Sequence, residues 1–494
     1  MELQFPKKVL DHLKRVIWDI KNEEQTQEIK LTDAVPDIGK VLGAWGQILV
    51  RGKEWRGSSM AVSGGVMSWV MYAPEDGSEA RCVETWIPFQ LRWDFPQTEK
   101  DGAMRVNCLL KSVDARSVSA RKLMVRVVVS AAAEALEPVQ TEIYGVGDMP
   151  EDVQISTNSY PIKLPREAGE KIFALDEELA PPAVCAQMQK LICYTMEPEI
   201  TDRKVMADKV VFRGSAWLHC LCSCEGGALR SCDFDLPFSQ YAELERIYDP
   251  SATADLTPTV TNLELELQEN GMLRLKAGLI GQYVIYERPV IEVVEDAYSL
   301  SRPLTMQMQE MNLPAVLDTY TEILKAEKEW DSAGKESVDT AFFLAHPSAR
   351  YAGDGMSFEI PGSFQLLHRD SEGSLQADTL SWQGVFASAV TDDTELLAVS
   401  RKAGKPQTGM GAHCDVAVDI TACKYTRIPM VTGLELGEMG QPDPNRPSLI
   451  LRKAGDDSLW SIAKQCGTTV EAIREANALT EAPPADRILL IPVP

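Results

Sequence analysis

At 494 residues the chain is long enough for about three to four domains, and 45% hydrophobic content lets each bury a core. Its 73 acidic and 49 basic residues leave a formal net charge of −24. That excludes a general binder of nucleic acid or anionic membrane, because phosphate binding needs a basic face.

The first residues, Met1–Pro6, carry no basic-then-apolar export signal. No run approaches the roughly 20 apolar residues of a membrane helix. A soluble, intracellular protein with no membrane insertion is expected. Residues 1–22 form a lead that reads as helical over 7–20, where Val9, Leu10, Leu13, Val16 and Ile17 recur at helical spacing.

Residues 23–145 and 146–298 are two copies of one β repeat. Ser63–Phe89 aligns without a gap on Phe212–Phe238, so that Gly65 meets Gly214, Gly77 meets Gly226 and Pro88-Phe89 meets Pro237-Phe238, each 149 positions on. Within each copy a strand with alternating residues, such as Val66, Ser68, Val70 and Tyr72 against Met67, Trp69 and Met71, runs into a turn signal. A second strand follows, which the proline is expected to end because it cannot donate to a ladder. Leu123–Ser130 and Leu273–Ile280 are further strands. Residues 299–434 read as a degenerate third copy, with Met356–Phe386 as its hairpin. Short, two-faced apolar strands in this number predict sandwich-like β repeats.

Residues 435–447 are polar and rich in Gly and Pro, and form a linker. Residues 448–494 differ in kind. Leu449–Arg452 is a strand and Gly455-Asp456 a turn. Ser458 caps a helix with a Leu459, Ile462, Ala463 stripe, and Gly467 ends it. Thr468 or Thr469 caps a second helix carrying Val470 and Ile473, which ends at Asn477, where a left-handed residue is tolerated. Ile488–Ile491 is the return strand. The fold class is therefore mainly β, tandem β-sandwich-like repeats plus a small βααβ C-terminal domain.

Nothing marks an enzyme. The sequence holds no Gly-x-x-x-x-Gly-Lys-Ser/Thr, no Gly-x-Ser-x-Gly, no His-Glu-x-x-His and only five histidines. Eleven cysteines and no Cys-x-x-Cys predict free, buried thiols. Cys220, Cys222 and Cys224 share one strand face, with Cys232 on the partner strand. Thiols two apart on a strand are about 6.6–7 Å apart by the strand rise, whereas zinc prefers a turn between its ligands. A small apolar face is the expected role, with no metal, no cofactor and no catalytic residue.

The C-terminal segment resembles the LysM module, which binds N-acetylglucosamine polymers, through Gly455-Asp456, Ser458–Ala463, Thr469–Ile473, Asn477 and Ile491-Pro492. Asp457 is an extra residue in its first turn, and Asp486-Arg487 replaces the usual Gly-Gln. By that resemblance a glycan groove would be lined by Gly455, Asp456, Ser458, Leu459, Asn477 and Leu479. The repeats resemble the SPOCS domain of endospore-forming bacteria through Pro36-Asp37-Ile38, Val62-x-Gly64-Gly65, Val70-Met71-Tyr72 and Ile87-Pro88-Phe89. The second copy matches at Lys209–Phe212, Gly214 and Leu236-Pro237-Phe238.

Tandem SPOCS domains followed by one LysM resemble the SipL-like family of spore-coat morphogenetic proteins. That resemblance implies a non-enzymatic scaffold made in the mother-cell cytoplasm and recruited to the forespore surface. Its LysM domain would dock a SpoIVA-like coat ATPase. The alternative is a peptidoglycan or N-acetylglucosamine-polymer binder of the cell wall or spore cortex.

Overall fold

The computed structural model describes residues 2–98, 100–352, 355–389, 394–409, 411–440, 446–481 and 486–493. It is built of strands; the only α-helices among these residues lie in the C-terminal module. One strand order occurs three times. The first unit has strands Lys7–Lys30, Ile38–Arg56, Ser59–Pro74, Arg81–Asp94, Ala103–Ser119 and Lys122–Tyr144. Strands two, three and four form one antiparallel sheet with three in the middle. Strands one, six and five form the other with six in the middle. Their inner faces, including Val62, Val66, Val70, Phe89, Val125, Val127 and Val129, meet in a sandwich core.

The second unit repeats this with Leu164–Leu179, Met188–Met206, Lys209–Cys224, Leu229–Glu243, Thr253–Leu267 and Leu273–Glu287. The third has Leu304–Glu329, a second strand broken into Glu336–Leu344 and Ser348–Ala352, then Gly355–Arg369, Leu375–Ala389, Thr394–Lys402 and Gly411–Leu436.

Four sequence expectations are corrected. Residues 7–20 are strand, not helix. A bulge between Arg15 and Ile17 splices two stretches of period-two alternation. Of the apolar residues that look helix-spaced, Val9 is exposed and the others pack into three different places: Leu10 beside Ile143, Leu13 beside Leu136, and Val16 and Ile17 in the first sandwich core. Pro88 and Pro237 do not end strands but sit mid-strand, because strand four is the edge of its sheet and needs no donor on its outer side.

The glycine alignment slips by one. Phe89 faces Gly64 and Phe238 faces Gly214, so Gly214 corresponds to Gly64, because the following turn is one residue shorter. Both glycines serve one close approach: a Cβ would lie 2.2 Å from the Leu49 oxygen at Gly64 and 2.1 Å from the Glu199 oxygen at Gly214. The linker is also shorter than expected, since strand extends to Leu436; residues 441–445 of it lie outside the described residues.

The units share a core. In each, strand two carries a bulge, and the extra residues Leu42, Ile192 and Val338 are buried together in one cluster. Met71, Leu221 and Leu367, which also occupy one equivalent position, join them. Beside this cluster, Asp339 of unit three accepts from Trp45 Nε1 of unit one at 2.8 Å. Its other oxygen bonds His219 Nε2 of unit two, also at 2.8 Å. His219 Nδ1 bonds Asp233 at 2.7 Å. Two carboxylate acceptors require both ring nitrogens to carry protons, so His219 is an imidazolium. Burial alone would lower its pKa; the Asp339 charge and the hydrogen bonds to Asp233 and Asp339 outweigh burial and push it up to about 10.

A raised histidine pKa contributes stability that is complete below its unfolded value, about 6.5, and is lost as pH rises through about 10. Asp339→Asn should lower stability by about 3–5 kcal/mol, the cost of breaking a buried pair. It should also flatten this alkaline loss; thermal melts across that pH range check both.

Candidate functional site: the C-terminal module and its mooring

The module folds as Leu449–Lys453, helices Leu459–Cys466 and Val470–Asn477, and Ile488–Pro492, with the two strands antiparallel. Local chemistry sets each boundary. Ser458 Oγ accepts from Ser461 N at 3.1 Å, and Thr469 Oγ1 from Ala472 N at 3.0 Å, so Thr469 rather than Thr468 is the second cap. Gly467 ends the first helix at φ 65°. The second helix ends at Asn477, as expected, and the left-handed residue is the one after it. Asn477 stays helical and Ala478 takes the left-handed position, at φ 48°.

Asn477 is buried, and its amide is fully engaged. Nδ2 donates to Ile473 O at 2.8 Å and to Leu490 O at 2.5 Å, and Oδ1 accepts from Leu490 N at 2.8 Å. It ties the second helix to the last strand. The other residues expected to line a groove divide in two. Gly455, Asp456 and Ser458 are exposed in the first turn, while Leu459 and Leu479 are half-buried against the module core. The inserted Asp457 is exposed and pairs with Arg452.

The module is moored to the body, which the linker composition gives no sign of. The connectors between units, Val153–Pro161 and Val290–Ser299, pair as a two-stranded ribbon. Tyr298 of that ribbon is 6% exposed and belongs to the module core with Ile462, Ile473 and Leu489. Its hydroxyl donates to Thr468 O at 2.7 Å, and its ring meets Trp460 edge-on at 4.8 Å. Asp296 accepts from Trp460 Nε1 at 2.7 Å and from Lys464 Nζ at 2.5 Å. Trp460 is this anchor. The first helix therefore faces the ribbon, and the turn at 455–458 remains open.

A different face is apolar and uncovered. Leu449, Leu451, Ile488 and Leu490 are 51%, 66%, 66% and 39% exposed. Strand alternation puts them on one side of the two-stranded sheet, with Leu451 opposite Leu490 and Lys453 opposite Ile488.

A cavity of about 650 Å³ lies among the three units. The cations facing it are already partnered, several of them across units: Arg105 with Asp255, Arg401 with Glu199, Lys402 with Glu197 and Lys405 with Asp235 join different units, while Arg105–Glu134 and Arg401–Asp419 lie within one. These pairs make it a polar seam rather than a cluster of groups aimed at a ligand. Cys220, Cys222 and Cys224 lie on the core face of unit two, and the turn at Ala183–Cys185 brings in Cys185, which sequence reading missed. With the corrected alignment their counterparts in unit one are Val70, Tyr72 and Pro74.

Comparison with family models finds two domains. Residues 187–268 match the SipL, SPOCS domain model, which runs from the start of strand two to the end of strand five in unit two. Residues 453–492 match the LysM domain model. No curated protein and no solved structure matches the chain. The chain thus carries a sporulation-associated SPOCS domain and a C-terminal LysM domain of the kind that binds N-acetylglucosamine polymers such as peptidoglycan, domains of binding or non-catalytic types.

Proposed function

We propose that this chain is a non-enzymatic scaffold of spore-envelope assembly, working from the mother-cell cytoplasm at the forespore surface. Its three-unit body holds the LysM domain in a fixed pose, and that domain docks a coat-assembly protein, a SpoIVA-like ATPase by resemblance. The matching topology of units one and three supports reading them as further SPOCS domains.

The observation that carries docking is the uncovered aliphatic face of Leu449, Leu451, Ile488 and Leu490. Four exposed aliphatics in so small a domain mark an interaction surface. Two five-residue strands, each about 17 Å long and about 4.8 Å apart, offer far less than the roughly 800 Å² per partner of a stable interface. That favours a short amphipathic segment of another protein over a second copy of this chain. Lys453 at the end of the face suits an acidic residue on that segment.

The second reading, glycan binding, draws support from the exposed turn Gly455–Ser458. Two variants of the full chain separate the readings. Leu451→Asp should abolish partner capture from sporulating cells and leave sedimentation with peptidoglycan unchanged. Asp456→Ala should do the reverse if the groove reads sugar. Ile473→Ala, at a fully buried site, should cost about 2–5 kcal/mol and remove both activities. Capture that survives Leu451→Asp sinks the docking proposal.

The mooring generates its own prediction. Asp296→Ala removes the acceptor of Trp460 and Lys464. Hydrogen exchange should then quicken through Leu459–Gly467 while the sandwich strands stay protected.

A further inference from the structure

Five of the eleven cysteines converge on one end of unit two. The thiols of Cys185, Cys222 and Cys224 lie within 4.8 Å of one another. Cys222 Sγ is 3.4 Å from that of Cys185 and 3.8 Å from that of Cys224. Cys232 stands on the neighbouring strand directly opposite Cys220, buried in the same core. The geometric objection from strand spacing no longer applies. Cys224 closes its strand and leads straight into the turn Glu225–Gly227, and Cys185 arrives from a separate turn. Four zinc–sulfur bonds of about 2.3 Å in a tetrahedron place the sulfurs about 3.8 Å apart, which is the scale of the separations seen.

Packing alone does not call for sulfur here. In unit one the equivalent positions are Val35, Val70, Tyr72, Pro74 and Val83. The correspondence is anchored by the matching turns Val35 N to Thr32 O and Cys185 N to Pro182 O, and by the matching pairs Val70–Val83 and Cys220–Cys232. Ordinary apolar side chains fill that sandwich end, whereas unit two has a thiol at all five places. Unit three puts His368 and Asp378 in the same region, hydrogen-bonded at 3.0 Å.

We propose that Cys185, Cys222 and Cys224, completed by Cys232, form a binding site for a soft d¹⁰ cation, with Zn²⁺ as its natural occupant. All four are buried, so the cation is shielded and the site structural rather than catalytic. On binding, each thiol loses its proton to solvent and gains a sulfur–zinc bond. Four protons leave, and the tetrathiolate carries a net charge of −2. Because binding releases those protons, uptake strengthens as pH rises.

The test uses the full chain, reduced and freed of any affinity tag. Metal analysis should find one zinc per chain, and Co²⁺ in its place should give the thiolate charge-transfer and tetrahedral ligand-field absorption of a sulfur site. Cys222→Val and Cys224→Ala should each weaken uptake by about tenfold or more, while Cys220→Val should retain it. Circular dichroism identifies a variant that fails to fold, and Cys224→Ala, at the most exposed of the four thiols, is the variant expected to fold. Failure of the reduced wild-type chain to take up Zn²⁺ or Co²⁺ overturns the proposal. So does uptake that a folded Cys224→Ala leaves unchanged, or that a folded Cys220→Val abolishes.

Discussion

One carboxylate holds the body together. Asp339 takes an indole hydrogen bond from unit one and an imidazolium from unit two, and itself belongs to unit three. The surrounding cluster of Leu42, Ile192, Val338 and their neighbours supplies non-directional attraction, which by itself tolerates small rotations of one sandwich against another. Directional bonds to a single buried acceptor do not tolerate them. A lone charge at that depth would be expensive, and removing either cationic or acidic partner leaves the other uncompensated. The three units are therefore fixed in relative angle by the same atoms that need one another for solvation.

The strand bulges explain why this centre can form. A regular strand two would point the residues after it to the wrong face. The bulge that all three units share at one place turns Leu42, Ile192 and Val338 outward from their own sandwiches and into the shared cluster. Bulges also limited what the sequence could reveal. Alternation through 62–72 made the hairpin strands legible, and repetition made the two-sheet unit legible. At Val16 a bulge disguised a strand as a helix, because local spacing carries no record of the long-range pairing with Lys122–Tyr144 that decides the matter. One residue fewer in a turn displaced the glycine alignment in the same way.

The C-terminal module was the most legible part, since its boundaries depend on residues three or four apart: Ser458 with Ser461, Thr469 with Ala472, and Gly467 at the helix end. What could not be read there were contacts across long separations. Nothing near Trp460 in the chain points to Asp296, and nothing near Cys222 points to Cys185. Asn477 shows the limit within the module itself. Its place in the chain fits a groove residue, but its three amide hydrogen bonds spend the side chain on joining helix to strand.

The N-terminal strand Glu2–Gln4 pairs with the last strand of unit three, Leu3 opposite Leu434, and Phe5 N reaches Thr432 O at 3.4 Å. This contact joins the two ends of the three-unit body, and it carries a consequence for biogenesis. Glu2–Gln4 are translated well before their hydrogen-bonding partner, which is among the last of the sandwich strands to be made. Units one and two can close their own sheets during synthesis, but the seal waits for the third. Until then the N-terminal edge is an unpaired β template, and the equivalent edge of another nascent chain competes for it. On a crowded polysome the order of translation therefore sets a choice between a closed monomer and strand-exchanged partners.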